Sequence, residues 1–167
     1  NKKNEGHGKT VLLGYKKVVA SPHEWIFQTD SDGHFAPNDF NKLWEKRTLS
    51  NCILGHRHKR KDGLHRIILS RLISIWIFIL FGKYIKDPNI PFRLIKKTYL
   101  KKAIKMIPEG AFAPNIFLSI LATMQGYKLL HVPVIHKARK SSHNKIKLFK
   151  GAIRGFAELT LFALGLI

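Results

Sequence analysis

Apolar and polar positions change their period several times along the chain, and each change marks an element. Over residues 9–19, Val11, Leu12, Tyr15, Val18 and Val19 recur at three- and four-residue intervals, the spacing of one helix face. Residues 25–28 form a short apolar run that reads as a strand, and residues 52–54 read as another. Helical spacing returns over Leu64–Phe81 and over residues 98–106 and 115–124. Leu129–Ile135 reads as a strand whose Pro133 has no N–H for a ladder, which predicts a sheet edge. Strands alternating with helices predict an α/β layered fold.

The longest apolar stretch, residues 72–81, is too short to cross ~30 Å of hydrocarbon, which takes about 20 residues. Within that helical region Arg66, Ser70 and Ser74 recur every fourth residue and share one face, while Ile67, Ile68, Leu72, Ile75, Trp76 and Ile79 make the rest apolar. Two readings fit: a helix at a membrane boundary with Trp76 as its interfacial anchor, or a core helix with one polar stripe. Residues 151–167 form a last apolar segment, either an amphipathic helix or the opening of a spanning one. The missing initial methionine and the abrupt apolar end lead us to expect a piece of a longer protein.

Charge narrows the classes. The 167 residues carry 30 Lys+Arg against 10 Asp+Glu, a formal net charge of +20, and beyond Gly63 the acids are Asp87, Glu109 and Glu158. Such a surface seeks polyanions: nucleic acid, anionic lipid headgroups or phosphorylated small molecules. A hydrophobic content of 45% excludes a disordered basic tail. One cysteine, Cys52, excludes an intramolecular disulfide and a four-cysteine zinc site.

Four segments carry candidate chemistry. In residues 24–35 a strand delivers Asp30 and Asp32 to its carboxyl end, where side chains two apart point the same way and two carboxylates can share a hard cation. Asp-Ser-Asp-Gly is equally ordinary turn chemistry. In residues 4–10, Gly6 and Gly8 open a helix whose backbone amides, with Lys9, could meet an anion. Residues 55–70 bring Arg57, Arg60 and Arg66, whose forked donors suit phosphate; His56, His58 and His65 sit in surroundings too basic for zinc. In residues 86–94, stiffened by Pro88 and Pro91, Asp87 is either an ion-pair partner or a base beside bound phosphates.

With these segments in this order the chain resembles a family-2 glycosyltransferase, of the polyprenyl-phosphate sugar transferase group that includes dolichol-phosphate mannose synthase. The resemblance rests on Asn4, Gly6 and Gly8 before a helix, Asp30 and Asp32 after a strand, and Gly55 and Arg57 at a strand end. It continues through Arg66 and Ser70 at a helix start, Asp87 with Phe92, Arg93 and Leu94, and Val132 and Pro133 ahead of Arg139. It covers nearly the whole of residues 4–150. It implies part of a glycosyltransferase-A fold, a mixed sheet with flanking helices, spanning residues 1–150 as the carboxyl-terminal part of a catalytic domain, with 151–167 as a membrane-associated helix. A nucleotide-diphosphate sugar donor and Mg²⁺ or Mn²⁺ are implied with it.

In that reading Asp30 and Asp32 hold the metal, and Asp30 also approaches the nucleotide. Gly6, Gly8, Lys9, Arg57, Arg66, Ser70, Arg93 and Arg139 bind substrate phosphates, and Asp87 is the candidate base. Two features depart from the family. No Pro-x-Tyr-Asn-Glu-like nucleobase motif is present, and Asn115 stands where many relatives carry an acid. The expected function is a metal-dependent inverting transfer to a polyprenyl-phosphate or glycan acceptor at the cytoplasmic face of a membrane, with anionic lipid as surface partner. The alternatives are a basic nucleic-acid-binding module and an inactive remnant. The former is disfavoured because aromatics are not interleaved with the basic clusters.

Overall fold

The computed structural model of the chain describes residues 6–58, 64–137 and 145–167. Four strands, β1 (Trp25–Thr29), β2 (Cys52–His58), β3 (Phe92–Lys96) and β4 (Leu129–Ile135), form one sheet in the order β1-β3-β2-β4. β3 runs antiparallel to both β1 and β2, and β2 runs parallel to β4. Helices α1 (His7–Val18), α2 (Asp39–Trp44), α3 (Leu64–Phe81), α4 (Lys97–Ala103), α5 (Pro114–Met124) and α6 (Lys145–Ala163) flank it. This mixed sheet with flanking helices is the partial glycosyltransferase-A arrangement that the sequence implied.

β3 was not expected from the pattern. Phe92, Arg93, Leu94 and Ile95 are all buried, because the strand lies between two others and is covered on both faces, so the period-two alternation that marks a half-exposed strand is absent. Pro133 does lie on the sheet edge, paired with His56 of β2. The outer side of that edge is not left open: the buried Asp39 of α2 accepts the Ile135 N–H at 2.6 Å. α5 is the central helix, buried from Pro114 to Ala122.

α3 divides its surface. Ser74 and Ile77 are buried, and Ile73, Trp76, Leu80 and Phe81 pack against the core. Leu64, Ile68, Leu72, Ile75 and Ile79 are exposed. By length and composition alone this helix is long and apolar enough to cross a membrane. Trp76, an interfacial anchor in one of the two readings, turns toward α6: its indole N–H donates to Thr160 Oγ1 at 3.2 Å and its ring meets Phe156 edge-on. A half-buried indole keeps its N–H partnered in this way. α6 begins at Lys145, ahead of the expected boundary.

The loop at residues 110–113 ties α1 to α6. A Cβ at Gly8 would lie 2.3 Å from the Ala111 carbonyl oxygen and 2.5 Å from that of Phe112, and one at Gly151 would lie 2.5 Å from the Phe112 ring. Glu158 accepts the Phe112 N–H at 2.8 Å. Gly8, expected to admit an anion, is therefore demanded by chain-to-chain packing. Gly8→Ala should cost about 1–3 kcal/mol. Gly14→Ala in the same helix, where nothing lies within 4 Å, should gain about 0.5–1 kcal/mol; urea denaturation of the two variants reads both signs.

Candidate functional site: a charged cavity at the strand ends

One cavity of about 260 Å³ gathers most of the sequence-predicted chemistry. Its walls come from the carboxyl ends of β1 (Asp30, Asp32), β2 (Arg57) and β4 (His136), and from the turn leading into the antiparallel β3 (Asp87, Pro88, Asn89 and Pro91). The first turns of α1 (His7) and α5 (Asn115) and the polar side of α3 (Arg66, Ser70) close it. Carboxyl ends of strands are where open α/β sheets bind ligands, and helix amino ends bring partial positive charge. A second, more open space of about 590 Å³ between α1 and β1 shares His7, Asp30 and Asp32 with it.

Arg57 and Asp87 meet as a fork. Nε donates to Oδ2 at 2.7 Å and Nη2 to Oδ1 at 2.8 Å, with both side chains mostly out of solvent. Bidentate charge-assisted pairs of this kind fix orientation as well as adding energy. Of the two readings of Asp87, the ion pair is the one seen, with Arg57 as its partner. Asp87 is also the non-glycine residue with positive φ among the described residues, at 49°. Aspartate tolerates the left-handed region better than most residues, but the conformation still costs on the order of 1 kcal/mol and persists when its surroundings over-determine it.

Asp30 and Asp32 both line the cavity, and Asp32 also makes the turn contact that Asp-Ser-Asp-Gly predicts: its Oδ1 accepts the His34 N–H at 3.3 Å. Beneath them the rings of Phe27, Phe92 and Phe35 succeed one another at 4.9 Å centroid spacings, and Phe35 meets His136 at 5.3 Å. Ser70 and Arg66 stand on one face of α3 as the four-residue spacing required. Lys9 is exposed and lines neither cavity, while Gly6 opens α1 at φ 95°. Arg139 and Arg60 lie outside the described residues.

No family model matches the chain. It aligns with the undecaprenyl-phosphate 4-deoxy-4-formamido-L-arabinose transferases of Sodalis glossinidius and Edwardsiella ictaluri, each 24% identical over 149 residues, and with that of Klebsiella pneumoniae at 22%. Each alignment covers 89% of this chain and 43% of the relative, so the chain spans less than half the length of these transferases. Over most of its length the chain is similar to undecaprenyl-phosphate sugar transferases.

In this chain Arg93 has a different task from the one its motif suggested. It is fully buried, and its guanidinium donates to the carbonyls of Ile90 (2.6 and 3.0 Å), Pro88 (3.1 Å) and Asn115 (3.0 Å) and approaches Ser119 Oγ at 3.4 Å. It carries the wall that presents Asp87 and Asn115 and does not line the cavity. Asn115, at the place where the resemblance implies an acid, takes a hydrogen bond from Tyr15, whose single O–H lies 2.8 Å from Asn115 Oδ1 and 3.0 Å from Gln28 Oε1. Burial pushes the Tyr15 phenol well above its usual range, so it stays a donor. Burial likewise pushes the Cys52 thiol up to about 11, leaving it inert at neutral pH. His7, His34, Asn89 and His136 are lining residues to which the sequence gave no role; His136 carried one weak signal, its place at the carboxyl end of a strand.

Arg93→Lys keeps the charge but loses the planar fork, and should cost roughly 2–4 kcal/mol in chemical denaturation, with Arg93→Met costing more. His131, on β4, donates from Nε2 to the Lys86 carbonyl at 3.0 Å; burial holds its ring below the ordinary 6.5, the carbonyl contact acting in the opposite sense. Its contribution is complete above pH 6.5, and stability falls as pH drops below that value, because there the unfolded chain binds the proton more readily. His131→Gln should flatten that acid-side loss when urea midpoints are compared between about pH 7.5 and about pH 5.5.

Proposed function

We propose that this chain forms the metal- and phosphate-binding portion of a glycosyltransferase that moves a sugar, with inversion, from a nucleotide-diphosphate donor to a polyprenyl-phosphate acceptor. The observation that carries the reading is the convergence of Asp30, Asp32, Arg57, Arg66, Ser70 and Asp87 on one cavity from four separate stretches of chain. The homologues' names supply the acceptor class.

A divalent cation fits the donor set. Three of the chain's ten acids line this cavity, against Arg57 and Arg66 among the described lining residues. Among those residues no group of three His, Cys, Asp or Glu forms a protein-only cage. Mg²⁺ and Mn²⁺ are commonly held by one or two carboxylates and completed by substrate phosphates, so Asp30 and Asp32 would be the protein ligands. When bound, the metal would offset the negative charge that develops on a departing nucleoside diphosphate. Arg57 and Arg66 would stabilise phosphate oxygens from fixed positions, without reorganising during the reaction. An acceptor phosphate is already a nucleophile, so the reaction does not require a strong base, which agrees with an Asp87 engaged at both oxygens by Arg57. The exposed apolar row of α3 and the net charge of +20 support a site at an anionic bilayer surface.

The test is transfer from a panel of radiolabelled nucleotide-diphosphate sugars to undecaprenyl phosphate by the full-length protein with Mn²⁺ or Mg²⁺. Asp32→Ala and Arg57→Lys should each lower turnover about 100-fold or more. Unchanged turnover after Asp32→Ala would remove the metal from the reaction.

A further inference from the structure

One residue addresses both oxygens of Asp32. The His34 backbone N–H donates to Oδ1 at 3.3 Å, and Nε2 of the same residue lies 3.5 Å from Oδ2. His34 is itself held. Its carbonyl accepts the Lys137 N–H at 2.8 Å, and Phe35 and His136 form an antiparallel bridge. The His34 and His136 rings lie 5.7 Å apart, tilted by 35°, with His136 almost fully buried. The turn that carries Asp32 is therefore pinned to the end of β4 by backbone pairing and by ring packing.

From this we infer that His34 is a positioning residue for Asp32, supported by His136, and that it sets how well the chain takes up a divalent cation. The inference rests on the proposed metal reading. The physical reason is general: a carboxylate that ligates a metal loses less freedom on binding when a neighbour already orients it, and such outer partners are commonly worth 10–100-fold in metal affinity. A carboxylate oxygen has lone pairs enough to accept from His34 and still face a cation. The ring nitrogen does the work in this account, and the packing on His136 keeps it in place.

Binding of Mn²⁺ alone to the full-length protein, followed by the loss of the free-ion electron paramagnetic resonance signal, tests it without any turnover. His34→Phe keeps a ring against His136 but removes the nitrogen, and should weaken Mn²⁺ binding about 10–100-fold. His34→Gln returns an N–H donor near the Nε2 position and should bind within a few-fold of the unchanged protein. His23→Ala, at an exposed position outside the cavity, should bind as the unchanged protein does. Thermal melting reports whether each variant is folded. Wild-type affinity in His34→Phe, with binding lost in Asp32→Ala, overturns the role given to His34 and leaves the metal reading standing. Equal losses in His34→Phe and His34→Gln assign His34 a merely structural part and also overturn it. Undiminished binding in Asp32→Ala overturns the metal reading itself, and the inference falls with it.

Discussion

A cation buried without bulk water must be solvated by fixed dipoles, and Arg93 imposes that condition on the centre of this molecule. Its guanidinium sits on β3, between β1 and β2, and draws in the carbonyls of Pro88, Ile90 and Asn115. Those carbonyls belong to the turn before β3 and to the first turn of α5, so two chain segments are locked to each other through one side chain. The positive φ of Asp87, its fork with Arg57 and the Tyr15–Asn115 hydrogen bond lie on the two segments that this lock joins. Moving either segment would strand a charge, which makes the wall of the cavity stiff in the way a preorganised site needs.

Charge acts on two length scales. At long range the net charge of +20 draws polyanions toward the protein, an attraction screened over roughly 8–10 Å at physiological salt. At short range the cavity reverses that balance by collecting Asp30, Asp32 and Asp87. A basic surface around a pocket lined by carboxylates separates long-range attraction of anions from the local chemistry of the cavity.

Much of this was legible in the chain, and the failures have physical causes. A strand ending in two alternate aspartates is visible because period-two geometry is local, and the α3 polar stripe is visible because four-residue spacing is local. The edge position of β4 could be read from Pro133, since a missing N–H is a property of the residue alone. Burial is not local. Phe-Arg-Leu alone reads Arg93 as a phosphate ligand, because nothing within it indicates that both faces of β3 are covered. The local sequence offers Gly8 to an anion, because the carbonyls it must avoid lie about a hundred residues away. Arg57 and Asp87 were each recognised, yet their fork joins a strand end to a distant turn. His136 became a site residue only through the parallel pairing of β4 with β2.

The geometry of α3 connects the cavity to the outer surface of the protein. At about 100° per residue, Arg66 and Ser70 fall on one side of the helix while Leu64, Ile68, Leu72, Ile75 and Ile79 fall roughly half a turn away. The first pair lines the cavity, and the second group is exposed. The buried side chains of Ser74 and Ile77 fix the helix's rotation, and Trp76 with Thr160 fixes its contact with α6. Rotating α3 to hide the apolar row would therefore withdraw Arg66 and Ser70 from the site. The exposure of that row is thus coupled to the cavity's composition, because one rotation of one helix sets both.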